Sequence, residues 1–305
     1  MKTLPFLFMM LSCMGILAQV PSPSAGSIKQ HPNFESKIVK PRNIDVWLPN
    51  GYSTKQKYAV LYMHDGQMLF DGTHTWNKQE WQADEVASAL MDQEATKPFI
   101  IVGISNISED RHCEYFPQKP FETLSVKQQD SLYSLNRQDG SKIFQGKISS
   151  DNYLKFIVTE LKPFIDKNYA TLTDAANTFI GGSSMGGLIS LYAICEYPNI
   201  FGGAACLSTH WIGIYEAANN PIPEAFFKYL STKLPDPKNH KLYFDRGTET
   251  LDASYKPFQD KADDIVKKKG FTSAQMQSKV WDGAAHSEED WASRIDQPMI
   301  FLLGR

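Results

Sequence analysis

The chain has 305 residues, with 31 Lys and Arg against 34 Asp and Glu, a formal net charge of −3 and 42% hydrophobic residues. The two signs are mixed along the chain, which removes a general electrostatic case for nucleic acid or an anionic membrane as partner. The length suits one large α/β domain, and no Pro/Gly/Ser-rich linker divides it.

Met1-Lys2-Thr3 is followed by an apolar run from Leu4 to Leu17, which reads as a secretory signal peptide at 1–18 with cleavage after Ala18. The run is shorter than the roughly 20 residues that a membrane-spanning helix needs. A rival reading would lipidate Cys13, but the apolar run continues beyond it. The mature chain is expected to begin at Gln19, secreted or periplasmic, with no membrane contact once processed. A disordered leader is expected over 19–35 and one folded domain over 36–305. The cysteines left in the mature chain are Cys113, Cys195 and Cys206, so at most one disulfide can form.

Strand-like runs follow at 43–48, 58–63, 99–104, 178–180, 203–207, 241–244 and 277–281, several of them continuously apolar. Such runs alternating with amphipathic stretches predict an α/β fold with a mostly parallel central sheet covered by helices on both faces. The helices are expected at 81–91, 152–168, 185–197, 255–269 and 288–303. In the second, Tyr153, Phe156, Ile157, Leu161 and Phe164 recur at helical steps and mark a core-facing stripe. Two stretches lack clean periodicity, 105–150 and 208–237. Each follows the C-terminal end of an expected strand, where open α/β sheets bind ligands, so both are expected to build a cleft.

Between the run Thr178-Phe179-Ile180 and the helix-like stretch from Leu188 lies Gly182-Ser183-Ser184-Met185-Gly186. Strand, glycine-rich turn and helix with serine at the apex form the pattern of a nucleophile elbow. Serine needs an adjacent base to take its proton during attack. His286 follows the last expected strand, where the chain order of serine, acid and histidine places that base. The acid should lie after the preceding strand, where Asp245, Glu249 and Asp252 are available. Asp245 is expected to lie within the strand; Asp252 is favoured, with Glu249 as the alternative. The oxyanion donors expected are the backbone amides of Met185 and of Gln67, with Gly66 allowing close backbone approach. His64 and Asp65 are read as loop hydrogen-bonding groups. Trp76, Trp81, Trp211 and Tyr115 lie in or beside expected loops and offer stacking surfaces for substrate. No sequence pattern for a metal, a phosphate-binding loop or another cofactor is present, so no cofactor is expected.

Val60-Leu61-Tyr62-Met63-His64-Asp65-Gly66-Gln67, Phe99 to Ile104, Arg111 to Pro117, Gly182 to Gly187 and the His286 loop together resemble the putative-esterase branch of the α/β-hydrolases. That branch includes S-formylglutathione hydrolase, feruloyl and acetylxylan esterases of carbohydrate esterase family 1, and enterochelin esterase. The resemblance covers nearly the whole mature chain and implies an α/β-hydrolase fold and a serine esterase. It also exposes a departure: many members carry an acid three positions after the glycine that follows the penultimate strand, where this chain has Thr250. Some relatives work with serine and histidine alone. With an exported location, the expected substrate is an acylated carbohydrate carrying acetyl or feruloyl groups. The alternatives are a siderophore ester of the enterochelin type and a catalytically weak carbohydrate-binding protein.

Overall fold

The computed structural model describes residues 20–214 and 219–305; the expected signal peptide and Cys13 lie outside the described residues. Eight strands form one sheet: β1 (Ser27–Phe34), β2 (Arg42–Leu48), β3 (Ala59–His64), β4 (Phe99–Ile104), β5 (Thr178–Ser183), β6 (Gly203–Leu207), β7 (Lys241–Arg246) and β8 (Met276–Val280). Their order across the sheet is β1-β2-β4-β3-β5-β6-β7-β8. β2 runs antiparallel to β1 and β4, and every other pair is parallel.

The continuous apolar runs have a direct cause. Along β3, Val60 and Tyr62 pack into one core layer while Ala59, Leu61 and Met63 pack into the other, so both faces of the strand are covered and neither can be polar. The first layer packs against α5 (Ser150–Phe156), α6 (Lys162–Asn168) and α7 (Met185–Glu196). The second packs against α1 (Ala83–Asp92) and α11 (Asp296–Leu303). α7 is buried from Met185 to Cys195 and carries no polar face, as expected of a helix enclosed on all sides.

The structure departs from the sequence reading in four places. The leader is not a free arm, because 27–34 form β1. Its tract is pinned as Ser22 N donates to Asp71 Oδ2 at 2.9 Å, Ala25 N to Asp84 Oδ2 at 3.0 Å, and Trp47 Nε1 to Ala25 O at 2.8 Å. β1 is polar because it is an edge strand, and its register slips between His31 and Phe34, around Pro32, which has no amide to pair. The expected helix 152–168 is α5, a π turn at Ile157–Leu161 and α6. Pro163 has no N–H for the carbonyl of Thr159, and the wider turn absorbs the defect. The expected helix 288–303 splits into α10 (Glu288–Ala292) and α11, with Pro298 in the first turn of α11. Finally, the two unperiodic stretches hold α2 (Arg111–Tyr115), α3 (Gln118–Glu122), α4 (Val126–Tyr133) and α8 (Ile222–Lys233). The five-residue α2 and α3 are too short to display a period.

Cys113, Cys195 and Cys206 are all buried free thiols. No helix among the described residues is long and apolar enough to cross a membrane.

Candidate functional site

Ser184 stands between β5 and α7 with φ 56° and ψ −119°, a left-handed backbone that a non-glycine residue adopts only when its surroundings enforce it. Its amide donates to Leu207 O at 2.9 Å and its carbonyl accepts from Leu188 N at 3.1 Å, so the turn is held on both sides. The elbow leaves no room for larger neighbours. A Cβ on Gly182 would lie 3.1 Å from the Gly186 backbone and 3.2 Å from His64 Cβ.

The histidine loop and the acid loop are laced together by backbone bonds. Thr248 N and Glu249 N both donate to Ala284 O at 3.0 Å, and His286 N donates to Thr250 Oγ1 at 2.8 Å. Asp252 is fully buried and its Oδ1 lies 2.6 Å from His286 Nδ1. Its Oδ2 accepts from Gly247 N and from Ser208 Oγ, both at 2.6 Å. Burial by itself pushes this carboxyl up; the bonds from His286, Ser208 and Gly247 outweigh it and hold Asp252 below its ordinary range. Glu249 is exposed, and only its amide joins the loop. Asp245, in β7, faces Arg294 with Oδ2 3.2 Å from Nε. Of the three carboxylates, Asp252 alone touches His286. Ser184 and His286 line one cleft of about 900 Å³.

On the opposite rim, the turn after β3 presents Gln67 into that cleft, while Met185 begins α7, where a first-turn amide has no partner within the helix. Gly66 allows a close backbone approach of the turn to the sheet: a Cβ there would lie 2.5 Å from the Gly103 backbone of β4. The turn is braced by Asp65, whose carboxylate takes Arg111 Nε at 2.8 Å, Arg111 NH2 at 2.7 Å and Asn106 Nδ2 at 2.6 Å. Burial pushes Asp65 up, but Arg111 and Asn106 prevail and hold it below its ordinary range. His64 is buried with Nδ1 2.9 Å from Tyr153 Oη. Burial pushes its pKa down to about 3, so it is neutral near neutral pH. His64 and Asp65 are therefore scaffold for the turn.

The four aromatic candidates separate. Trp76 is 83% exposed on the cleft. Tyr115 is fully buried against His64 and Tyr153, where its hydroxyl accepts from Asp65 N at 3.3 Å. Trp211 is fully buried, donating from Nε1 to Gln259 Oε1 at 3.0 Å. Neither can stack on a ligand, because no face of either ring reaches solvent. Trp81 is buried against Trp291, the rings tilted by 39° with centroids 5.5 Å apart. The polar cleft residues Asn77, Asn106, Arg137 and Glu288 come from three separate loops and the start of α10, and they carry no shared spacing that the sequence would reveal. Nor does any motif mark Tyr255, whose hydroxyl contacts His210 Nδ1 at 2.5 Å and neighbours the Ser184 side chain. A second cavity of about 400 Å³ adjoins Ser184, with Ile143, Ile212, Ile214 and Leu251 on its apolar side and Arg111, His112, Arg137 and His210 on its polar side. Among the described residues no group of three or more His, Cys, Asp or Glu is placed to hold a metal ion.

This geometry can be set beside known proteins. The family model described as "Putative esterase" matches residues 36–302. The uncharacterized protein YbbA of Bacillus subtilis (strain 168) is 25% identical over 272 residues, covering 87% of this chain and 93% of its own. An endo-1,4-beta-xylanase/feruloyl esterase of Xylanibacter ruminicola is 26% identical over 225 residues, 70% of this chain but 25% of that protein. Among solved structures, a CE1 ferulic acid esterase from Anaeromyces mucronatus in complex with ferulic acid superposes with a TM-score of 0.62. It is 17% identical, and the match covers 95% of this chain and 98% of that one.

Proposed function

Because the chain belongs to the "Putative esterase" family, with the α/β-hydrolase fold and carboxylic ester hydrolysis that this entails, we propose that it removes acetyl or feruloyl groups from polysaccharides outside the cytoplasm through an acyl-enzyme on Ser184. The observation that carries the catalytic part is the 2.6 Å contact between buried Asp252 and His286, on the cleft that also presents Ser184. Asp252 accepts a hydrogen bond from Nδ1–H, which fixes the tautomer that leaves Nε2 free to act as base. Ser184 Oγ attacks the ester carbonyl as its proton passes to Nε2, and the oxyanion is received by the amides of Met185 and Gln67. The C–O bond to the sugar breaks as Nε2 returns the proton to the departing alkoxide oxygen. Water then attacks the acyl-enzyme by the same path, releasing the carboxylic acid and restoring Ser184.

The substrate class is supported by the cleft and its neighbour. The large cleft is open and lined with amide, guanidinium and carboxylate groups beside exposed Trp76, which suits the hydroxyls and apolar face of a sugar. The smaller cavity that shares Ser184 and Arg111 with the cleft has Ile143, Ile212, Ile214 and Leu251 in its wall, an apolar surface that suits the acyl group. The apolar run at 4–17 supports export.

The test is release of acid from acetylated xylan, feruloylated arabinoxylan and a catecholate lactone, with Ser184→Ala as control. Release from either polysaccharide, lost in the variant, is expected; cleavage of the lactone alone would move the assignment to siderophore esters. N-terminal sequencing of exported protein should begin at Gln19. A chain beginning at Met1 or lipidated at Cys13 would overturn the processing.

A further inference from the structure

Ser208, the residue immediately after β6, has a hydroxyl whose hydrogen-bonding capacity is completely used. It is fully buried, Trp291 Nε1 donates to it at 3.0 Å, and Arg294 NH2 donates to it at 3.0 Å. Indole and guanidinium N–H groups cannot accept, so these two neighbours occupy both lone pairs and dictate where the single hydroxyl proton goes. It points at Asp252 Oδ2, 2.6 Å away. The same oxygen takes Gly247 N, so Oδ1 is left to His286.

The backbone adds an independent observation. Ser208 has φ 43°, in the left-handed region where glycine or asparagine is more comfortable than serine. Its amide donates to Asp245 O at 2.9 Å, and Ser184 N is bound to the preceding residue's carbonyl. A strained serine is thus held at the joint between the nucleophile's turn and the acid, and what serine offers there that glycine lacks is the hydroxyl.

We propose that Ser208 is a positioning residue for hydrolysis: its hydroxyl, oriented by Trp291 and Arg294, locks the Asp252 carboxylate in the rotamer that presents Oδ1 to His286. This rests on the Ser184, His286 and Asp252 reading given above. Arg294 completes the device from behind, with NH2 3.9 Å from Asp252 Oδ2 and Nε 3.2 Å from Asp245 Oδ2. The other titratable neighbours of the pair are Tyr255, edge-on to His286 at 5.8 Å, and His210, bound to Tyr255. Ser208 itself reaches neither described cavity beside Ser184, so it can act on substrate only through Asp252.

The experiment compares Ser208→Gly and Ser208→Ala with the wild type on a chromogenic acetyl ester across pH, with melting temperature as the check on folding. Glycine accepts the local backbone more easily and alanine keeps the Cβ; both remove the oxygen. One lost buried hydrogen bond to an ionised group should lower kcat by about tenfold to a hundredfold in both. KM should stay within about twofold, and the acid limb of the kcat profile should move to higher pH as Asp252 loses a donor. If either folded variant keeps wild-type kcat and an unmoved acid limb, Ser208 is only a packing residue. Should neither fold, Ser208→Cys, close in shape with a weak S–H donor, is expected to lose kcat several-fold, and full activity in it would equally overturn the proposal. Retained hydrolysis in Ser184→Ala would instead sink the parent reading and leave Ser208 without a role to support.

Discussion

The main-chain amide of His286 donates to Thr250 Oγ1 at 2.8 Å. Thr250 stands where the resemblance to the esterases implies an acid, and here its side chain holds the backbone of the histidine. The carboxylate that reaches the imidazole is two residues on, Asp252, in the short helical turn Thr250–Ser254. The loop thus delivers a buried carboxylate to Nδ1 although position 250 itself carries none.

Asp252→Asn should lower kcat by about ten-thousandfold, because an amide cannot hold the productive tautomer. Glu249→Gln should stay within about twofold, its carboxylate being solvent-exposed. Steady-state hydrolysis of a small ester checks both. Near-wild-type turnover in Asp252→Asn would mean that Ser184 and His286 operate as a dyad.

The Gln67 side chain accepts from Asn106 N at 3.1 Å, so its oxygen is engaged in bracing the rim, which leaves the backbone amide as the oxyanion donor proposed above. Gln67→Ala is expected to cost less than about tenfold in kcat, and Gln67→Pro, which deletes the N–H, on the order of a hundredfold or more. Equal losses in the two variants would assign the contact to the side chain.

Trp76, at 83% exposure, is the exposed aromatic among the residues lining the cleft beside Ser184. Trp76→Ala should raise KM for an acylated polysaccharide several-fold while leaving kcat/KM for a small chromogenic ester within about twofold, since only the long substrate reaches it. An unchanged polysaccharide KM would exclude stacking there.

Asp45 in β2 is 2% exposed, and burial pushes its pKa from 3.8 up to about 6, against the opposing bond from Gln30 Nε2 at 2.9 Å. The folded state therefore keeps this proton more tightly than the unfolded one. The stability it contributes is full below about pH 4 and is lost as pH rises through about 6. Asp45→Asn, which retains an oxygen for Gln30, should raise the melting temperature at pH 8 but not at pH 4, by an amount corresponding to roughly 3 kcal/mol. Calorimetry at the two pH values checks it; a gain that is the same at both would show that charge is not the cause.

Local chemistry was enough for much of this protein. Continuous apolar runs marked the doubly covered strands β3, β4 and β6, and the glycines around Ser184 marked a turn that must be small because helix and strand backbones meet there. His286 was legible from its place after the last strand. What lay beyond the sequence was everything decided by contacts distant along the chain. Asp252 and Glu249 are both carboxylates on one loop, and only the fold buries the first against His286 while leaving the second in solvent. Tyr115, Trp211 and Trp76 are all loop-side aromatics, and their burial depends on which layers close over them. β1 was hidden because an edge strand faces water and needs no apolar period. Ser208 carries no motif at all: its role comes from Trp291 and Arg294, more than eighty residues later, which saturate its oxygen and leave its proton one direction to point.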